Sequence, residues 1–368
     1  MKKEEEKQTT ANRSVLYEDI YGKKKVEVEL PLTSTVDVEE MAGNLGIPAC
    51  VDKSYLPMRR AIVALWACQN AHELHKMFPD KIATRISKKP IRALLFGGGA
   101  VKIHCSCANM IKGPLCRHLK DVDFIVSKKQ GREFHKLLLL LGGLFGTEHL
   151  YFETGGDRMF MFQRHGTRYR IRTIDAVDKK GIPKVGVMDI FCDYIDLRHK
   201  VKLKEEFKNP KETLYTIGLE NMILSKCQFI MDLPANDLPR LEDAGKTFRI
   251  LKYDYVPDRL IIGMEKKDMS DVCAVLLNHP IGSGREEVDP TKMARALRRD
   301  KKFAVTCRLN LQNVVDHPEV LKGFGLTKAQ VLTIINRIEV LLKAIPVVDA
   351  RWSKPWWNTQ VETPKTLD

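Results

Sequence analysis

The stretch "GPLCRHLKDVDFIV" (residues 113–126) leaves a glycine-proline loop, passes through basic residues into two aspartates and then turns apolar. Val122, Phe124, Ile125 and Val126 are β-branched, aromatic or otherwise apolar, and turn signals precede them, which predicts a short strand buried on both faces. Residues two apart on a strand share a face, so Asp121 and Asp123 are expected on one side, roughly 6 to 7 Å apart along the chain. Two like charges held that close repel unless something positive sits between them. A hard divalent cation such as Mg2+ satisfies this, because it takes carboxylate oxygens and carries phosphates on its remaining positions. The plainer alternative is that one aspartate caps a turn and the other pairs with Lys120 or Arg117.

Working outward, 368 residues suffice for one large domain or two ordinary ones. With 44% hydrophobic and 29% charged residues the composition is that of a globular chain with a core. Sixty-one basic against 47 acidic residues leave a formal charge of +14, which favours a polyanionic partner such as nucleic acid, a nucleotide or a membrane surface. No apolar run approaches the roughly 18 to 20 residues that span a bilayer, so no membrane insertion is expected. The opening "MKKEEEKQTTANRS" lacks an apolar leader, and nine cysteines without an export signal suit reduced thiols in the cytoplasm.

Five segments are expected: a disordered tail (1–15), an N-terminal helical region (16–88), a sheet-bearing core (89–210), a C-terminal helical domain (211–350) and a tail (351–368). Helical periodicity is clearest over 36–88. In the core, short strands are expected at 91–96 and 121–126, and again at about 144–152, 157–163, 168–174 and 185–192. This predicts an α+β fold with a mixed sheet. From about 212 to 344 helix is expected, broken by loops near 232–240 and 280–290.

Other chemistry-bearing residues lie upstream and downstream of the opening stretch. "LLFGGGAVKIHC" (94–105) reads as a strand, a glycine turn of Gly97, Gly98 and Gly99, and a helix start, an arrangement in which backbone amides approach phosphates closely. "KVGVMDIFCD" (184–193) embeds Asp189 in an apolar strand, where a charge is costly without a partner. It reads as a third metal ligand or as a hydrogen-bonded structural aspartate. In "LENMILSKCQFI" (219–230) Lys226 interrupts an apolar helical stripe. Asp268 and Asp271 do the same in "MEKKDMSDVCAVLLNH" (264–279), so either can pair with Lys226, as a structural ion pair or to orient the lysine toward a triphosphate.

Taken in order, these segments resemble the nucleotidyltransferase-fold superfamily, with a polymerase-β-like mixed-sheet core, and most closely its minimal nucleotidyltransferases and the toxin-like abortive-infection (AbiEii-type) group. The resemblance spans about residues 91–280. It implies that Asp121, Asp123 and Asp189 are catalytic and bind Mg2+ or Mn2+. It also implies that Gly97, Gly98, Gly99 and Lys226 hold a nucleoside triphosphate such as ATP, and that Asp268 and Asp271 support the lysine. Lys120 is a further candidate for phosphate contact, as is Arg117, although a solvated basic loop is the plainer reading of both. The implied reaction moves a nucleoside monophosphate onto an acceptor hydroxyl. RNA or tRNA, a protein and a small molecule are the candidate acceptors; a non-catalytic nucleotide-binding module and a toxin with an antitoxin partner are the other readings. The chain departs from the family in a third glycine where relatives carry Ser or Thr, and in a longer segment between the glycines and Asp121.

Two more clusters are read from residues alone. Cys105, Cys107, Cys116 and His118 offer four zinc-type donors at a spacing that fits no common finger, so free thiols are the plainer expectation. "ARWSKPWW" (350–357) interleaves cations with Trp352, Trp356 and Trp357, which can stack bases or pack back onto the helices.

Overall fold

The computed structural model describes residues 13–18, 25–30, 37–53, 56–79, 86–119, 121–145, 150–151, 164, 166–177, 183–234, 250–251, 259–348 and 355–359. Along the chain the strands are β1 (Arg13–Glu18), β2 (Lys25–Leu30), β3 (Ala93–Phe96), β4 (Val122–Val126), β5 (Leu150–Tyr151), β6 (Arg168–Val177), β7 (Pro183–Cys192), β8 (Tyr194–Asp196), β9 (Lys200–Lys202), β10 (Met231–Pro234), β11 (Ile250–Leu251) and β12 (Arg259–Ile262). The helices are α1 (Val38–Leu45), α2 (Leu56–Gln69), α3 (Ala71–Met77), α4 (Gly97–His104), α5 (Gly131–Phe145), α6 (Leu219–Cys227), α7 (Lys266–Asn278), α8 (Pro290–Arg298), α9 (Lys301–Asp316), α10 (Pro318–Gly323) and α11 (Lys328–Ala344).

The organising element is a five-stranded sheet in the order β3-β4-β7-β6-β5. β4 runs parallel to β7 and antiparallel to β3, while β6 is antiparallel to both β7 and β5. The fold is therefore α+β with a mixed sheet. Side chains alternate between its faces, as strand geometry requires. Ala93, Leu95, Val122, Phe124, Val126, Met188 and Ile190 pack with α1, α2 and α5. Leu94, Phe96, Ile125 and Phe191 face the opposite way, into a core shared with α4, α6, α7 and the helices beyond. Asp123 and Asp189 have the parity of Ile125 and Phe191, so the strand period alone sends them toward α4, α6 and α7. The charged 205–212 segment joins sheet and helices, and its Phe207 is buried in the same core.

Three expectations are revised, and a fourth falls outside the described residues. β1 and β2 pair antiparallel within the segment read as helical from residue 16; "KVEVEL" alternates apolar and acidic residues with period two, which suits a strand. α5 runs on to Phe145, through the start of the expected 144–152 strand, of which Leu150–Tyr151 is extended among the described residues; helix propagates through Gly142 and Gly143 despite their propensity cost of about 1 kcal/mol each. The expected 157–163 strand lies outside the described residues. Within the expected helical domain, β10, β12 and β11 form a small antiparallel sheet, built from runs such as "RLII" that are too short and β-branched to sustain a helix.

Near the C-terminus, Trp356 and Trp357 are buried against Ile230, Ile261 and Val305, and the Trp356 indole donates to Thr306 Oγ1 at 2.9 Å. These two tryptophans pack rather than present faces to bases; Trp352 lies outside the described residues. Among the described residues no helix is long and apolar enough to cross a membrane.

Candidate functional site

The buried apolar run of β4 places Asp123 one residue inside the strand, half-buried, and leaves Asp121 exposed just ahead of it. Strand pairing then sets two further relationships. Asp123 is opposite Asp189 in the parallel β4–β7 register, and Phe96, the last residue of β3, is its antiparallel partner on the other side. The next residue, Gly97, opens α4 with φ +68°, a conformation that favours glycine.

The glycine run differs from the sequence expectation in a specific way. A Cβ on Gly97 would lie 2.9 Å from Asp123 Oδ2, and one on Gly98 would collide with an Arg117 guanidinium nitrogen and lie 2.8 Å from a Leu119 methyl. Gly99 is crowded by Leu95 instead. The glycines begin the helix rather than preceding it. Gly97 and Gly98 admit side chains of this chain: a carboxylate at the positive end of α4, where the helix dipole favours it, and a guanidinium beside it.

Asp189 is committed differently from Asp123. Arg170, directly across from it in the β6–β7 register, donates from Nε to Asp189 Oδ1 at 2.8 Å and from a terminal nitrogen to Oδ2 at 3.0 Å. Arg168 also bonds Oδ2, with its guanidinium 4.4 Å from the centroid of the Phe191 ring. Burial would raise the Asp189 pKa, but the two guanidiniums outweigh it and hold the carboxyl below its ordinary range. Asp123 has no hydrogen bond or ion pair among the described residues. Burial first, then the Asp189 and Asp121 carboxylates, push it up to about 7 against the opposing pull of Lys226 and Arg168.

On the helical side, Lys226 of α6 bonds Asp268 at 2.8 Å and Asp271 at 2.9 Å, both from α7, which is the pairing that their shared faces predict. Asp271 also takes a bidentate pair from Arg117, 2.8 Å at Nε and 2.6 Å at a terminal nitrogen. Burial alone would raise Asp271, but Lys226 and Arg117 bring it to about 2. Conversely, burial opposes the charge on Lys226, and the two aspartates more than compensate, raising its pKa. Arg117 is thus a half-buried, ion-paired structural cation and not part of a solvated loop. Lys120 lies outside the described residues.

Two ion-pair systems, Arg168/Arg170 with Asp189 and Arg117/Lys226 with Asp271 and Asp268, therefore flank one unpaired carboxylate. The arginines of β6 escaped the sequence reading, although "RYRIR" (168–172) repeats Arg with period two, as a strand face matched to Asp189 would. The donor set suits a hard cation beside Asp123, whose carboxylate has no ion pair among the described residues, with Asp121 just ahead of it on the chain. At Asp189 both oxygens already accept from arginine.

The four zinc-type donors do not converge. Cys105 is buried in the apolar core, Cys107 Sγ contacts the Asn278 amide and the Ala274 carbonyl, and all nine cysteines are free. Comparison with family models, with curated proteins and with solved structures finds no match to this chain.

Proposed function

We propose that the chain is a divalent-metal-dependent nucleotidyltransferase, with a polymerase-β-like core, acting at Asp121 and Asp123. The observation that carries this reading is the half-buried Asp123 carboxylate. It lies against two further carboxylates, is unpaired among the described residues and is raised to about 7, a state that a cation relieves. The succession of strand, Gly97–Gly98 helix start, Asp-x-Asp strand, Asp189 in register and Lys226 on a packed helix supports the same reading.

Asp121 and Asp123 would hold Mg2+ or Mn2+, which when bound neutralises triphosphate charge and polarises the attacking hydroxyl. Asp189 anchors Arg168 and Arg170 beside them. Lys226 and Arg117 are held by Asp268 and Asp271, which balance their charge, so their part would be to offer oriented N–H donors to a triphosphate. The acceptor hydroxyl gives its proton to solvent as its oxygen forms a bond to the α-phosphorus, the bond from phosphorus to the α–β bridging oxygen breaks, and pyrophosphate leaves. The net charge of +14 supports RNA, including tRNA, as acceptor over a neutral small molecule.

A second reading, a nucleotide-binding module without transfer, is favoured by the arginines on Asp189, which leave one fewer carboxylate for metal. Label transfer from each of the four α-labelled nucleoside triphosphates to total RNA, with Mg2+, separates the two. Labelled RNA that is absent with Asp121→Asn/Asp123→Asn supports the transferase, and label on protein moves the acceptor to a polypeptide. Nucleotide binding without transfer supports the module.

A further inference from the structure

His104 ends α4 and His279 follows the last residue of α7, so the C-terminal ends of two helices meet, with imidazole centroids 6.1 Å apart. The loop after α7 returns Glu286 to the same place. One donor atom from each of the three residues lies within 4.8 Å of the other two. His279 is buried, His104 half-buried, and Glu286 closes the group on the solvent side.

Hydrogen bonding sets which ring nitrogens are available. Thr216 Oγ1 donates to the Thr213 carbonyl at 2.6 Å, so it accepts from His104 Nε2 at 2.7 Å. The proton of a neutral His104 therefore resides on Nε2, and Nδ1 presents a lone pair. Burial, and then the neighbouring His279, bring His104 down to about 4, which keeps it neutral. Both nitrogens of His279 face carbonyl oxygens: Nε2 that of His104 at 3.1 Å, and Nδ1 that of Glu286 at 3.0 Å, with Glu286 Oε2 3.7 Å away. A neutral imidazole has one N–H for these two acceptors. With that proton toward His104, the Nδ1 lone pair points at oxygens, a position that a metal ion bound to Nδ1 would fill. Arg285, the adjacent cation, sends its guanidinium to the Glu212 carbonyl.

We propose that His104, His279 and Glu286 bind one transition-metal dication of the zinc class, which clamps the 279–288 loop to the C-terminal end of α4. Two imidazoles and one carboxylate are a borderline donor set that suits zinc over Mg2+. Tetrahedral zinc places its donors roughly 3.3 Å apart at the usual bond lengths. The solvent-exposed Glu286 side chain is free to close that distance. The partners already in place, Thr216 on His104 and the His104 carbonyl on His279, are the outer hydrogen bonds that orient metal-binding imidazoles. The ion would sit about 10 Å from Gly97, by the rise of α4, and would tie α4 to α7, the helix that carries Asp268 and Asp271. The role is structural, and the inference stands whether or not the chain transfers nucleotides.

The test uses the full chain stripped with a chelator, then titrated with Zn2+ against a chromophoric competitor and, separately, with Co2+ followed by visible absorption. One site is expected, without thiolate charge-transfer absorption, and Zn2+ should raise Tm. Glu286→Gln keeps the fold because its side chain is exposed, and His279→Gln removes a second ligand. Each should weaken binding by at least roughly 10- to 100-fold and abolish the Tm rise, while Asp121→Asn/Asp123→Asn leaves both intact. Absence of a tight site, undiminished binding in Glu286→Gln, or binding that thiol alkylation removes would each overturn the proposal.

Discussion

Asp123 and Asp189 are register partners on adjacent parallel strands, yet only Asp189 is neutralised by arginine. Identical side chains on the same sheet face thus carry opposite pKa shifts, Asp123 upward and Asp189 downward. The asymmetry separates a carboxylate that stabilises the fold from one that costs it stability.

Asp123→Asn should stabilise the chain in the absence of divalent ions at pH 8. Asp123 keeps its proton to about 7 when folded and loses it near 3.8 when unfolded. The unfolded state therefore binds fewer protons between these values, and stability falls as pH rises through that window. The gain from Asp123→Asn is absent below pH 4, grows to pH 7 and levels off at about 2 to 4 kcal/mol. Chemical denaturation of both proteins at pH 4 and pH 8 measures it; saturating Mg2+ should shrink or reverse the difference.

Asp189→Asn should do the reverse. It leaves the Arg168 and Arg170 guanidiniums without their carboxylate, at a cost of roughly 3 to 5 kcal/mol. Because Asp189 is depressed when folded, its contribution is fully present above the unfolded carboxylate pKa and is lost as pH falls below it. The penalty of Asp189→Asn should accordingly narrow under acid.

The Asp271 cluster predicts the same acid signature. Asp271 titrates at about 2 when folded against 3.8 unfolded, so its stabilisation is complete above pH 4 and disappears toward pH 2. Asp271→Asn, which strands Lys226 and Arg117, should cost roughly 3 to 5 kcal/mol at pH 7 and flatten the acid limb of the stability curve.

Gly98→Ala should act through Arg117. The added methyl displaces the guanidinium from Asp271, so Gly98→Ala and Arg117→Met should be strongly non-additive in a double-mutant cycle. Gly97→Ala should cost about 1 to 2 kcal/mol for its positive φ alone, and should also disturb Asp123.

Much of this site is legible in the chain. Period two on "VDFIV" and "VMDIFC" puts both aspartates on one face, and period 3.6 puts Lys226 opposite Asp268 and Asp271. What escaped depends on sheet order. Residues 168–172 become neighbours of Asp189 only through antiparallel β6–β7 pairing, and Arg117 reaches Asp271 across a sequence separation of 154 residues. The glycines read as a phosphate loop because local sequence cannot show that Asp123 and Arg117 fill the space beside them. The His104–His279–Glu286 group was invisible for the same reason, its members being scattered between two helix ends and a loop.

The most direct measurement is Mg2+-dependent release of pyrophosphate from each nucleoside triphosphate, with total RNA as acceptor, by the wild-type chain and by Asp123→Asn. Asp123→Asn is the informative control because it should be folded and more stable than wild type. Release by wild type, reduced by about 1,000-fold or more in Asp123→Asn, is the expected result. Release that survives Asp123→Asn unchanged, or none with any nucleotide while the chain is folded and Mg2+-loaded, would contradict a transferase centred on Asp121 and Asp123.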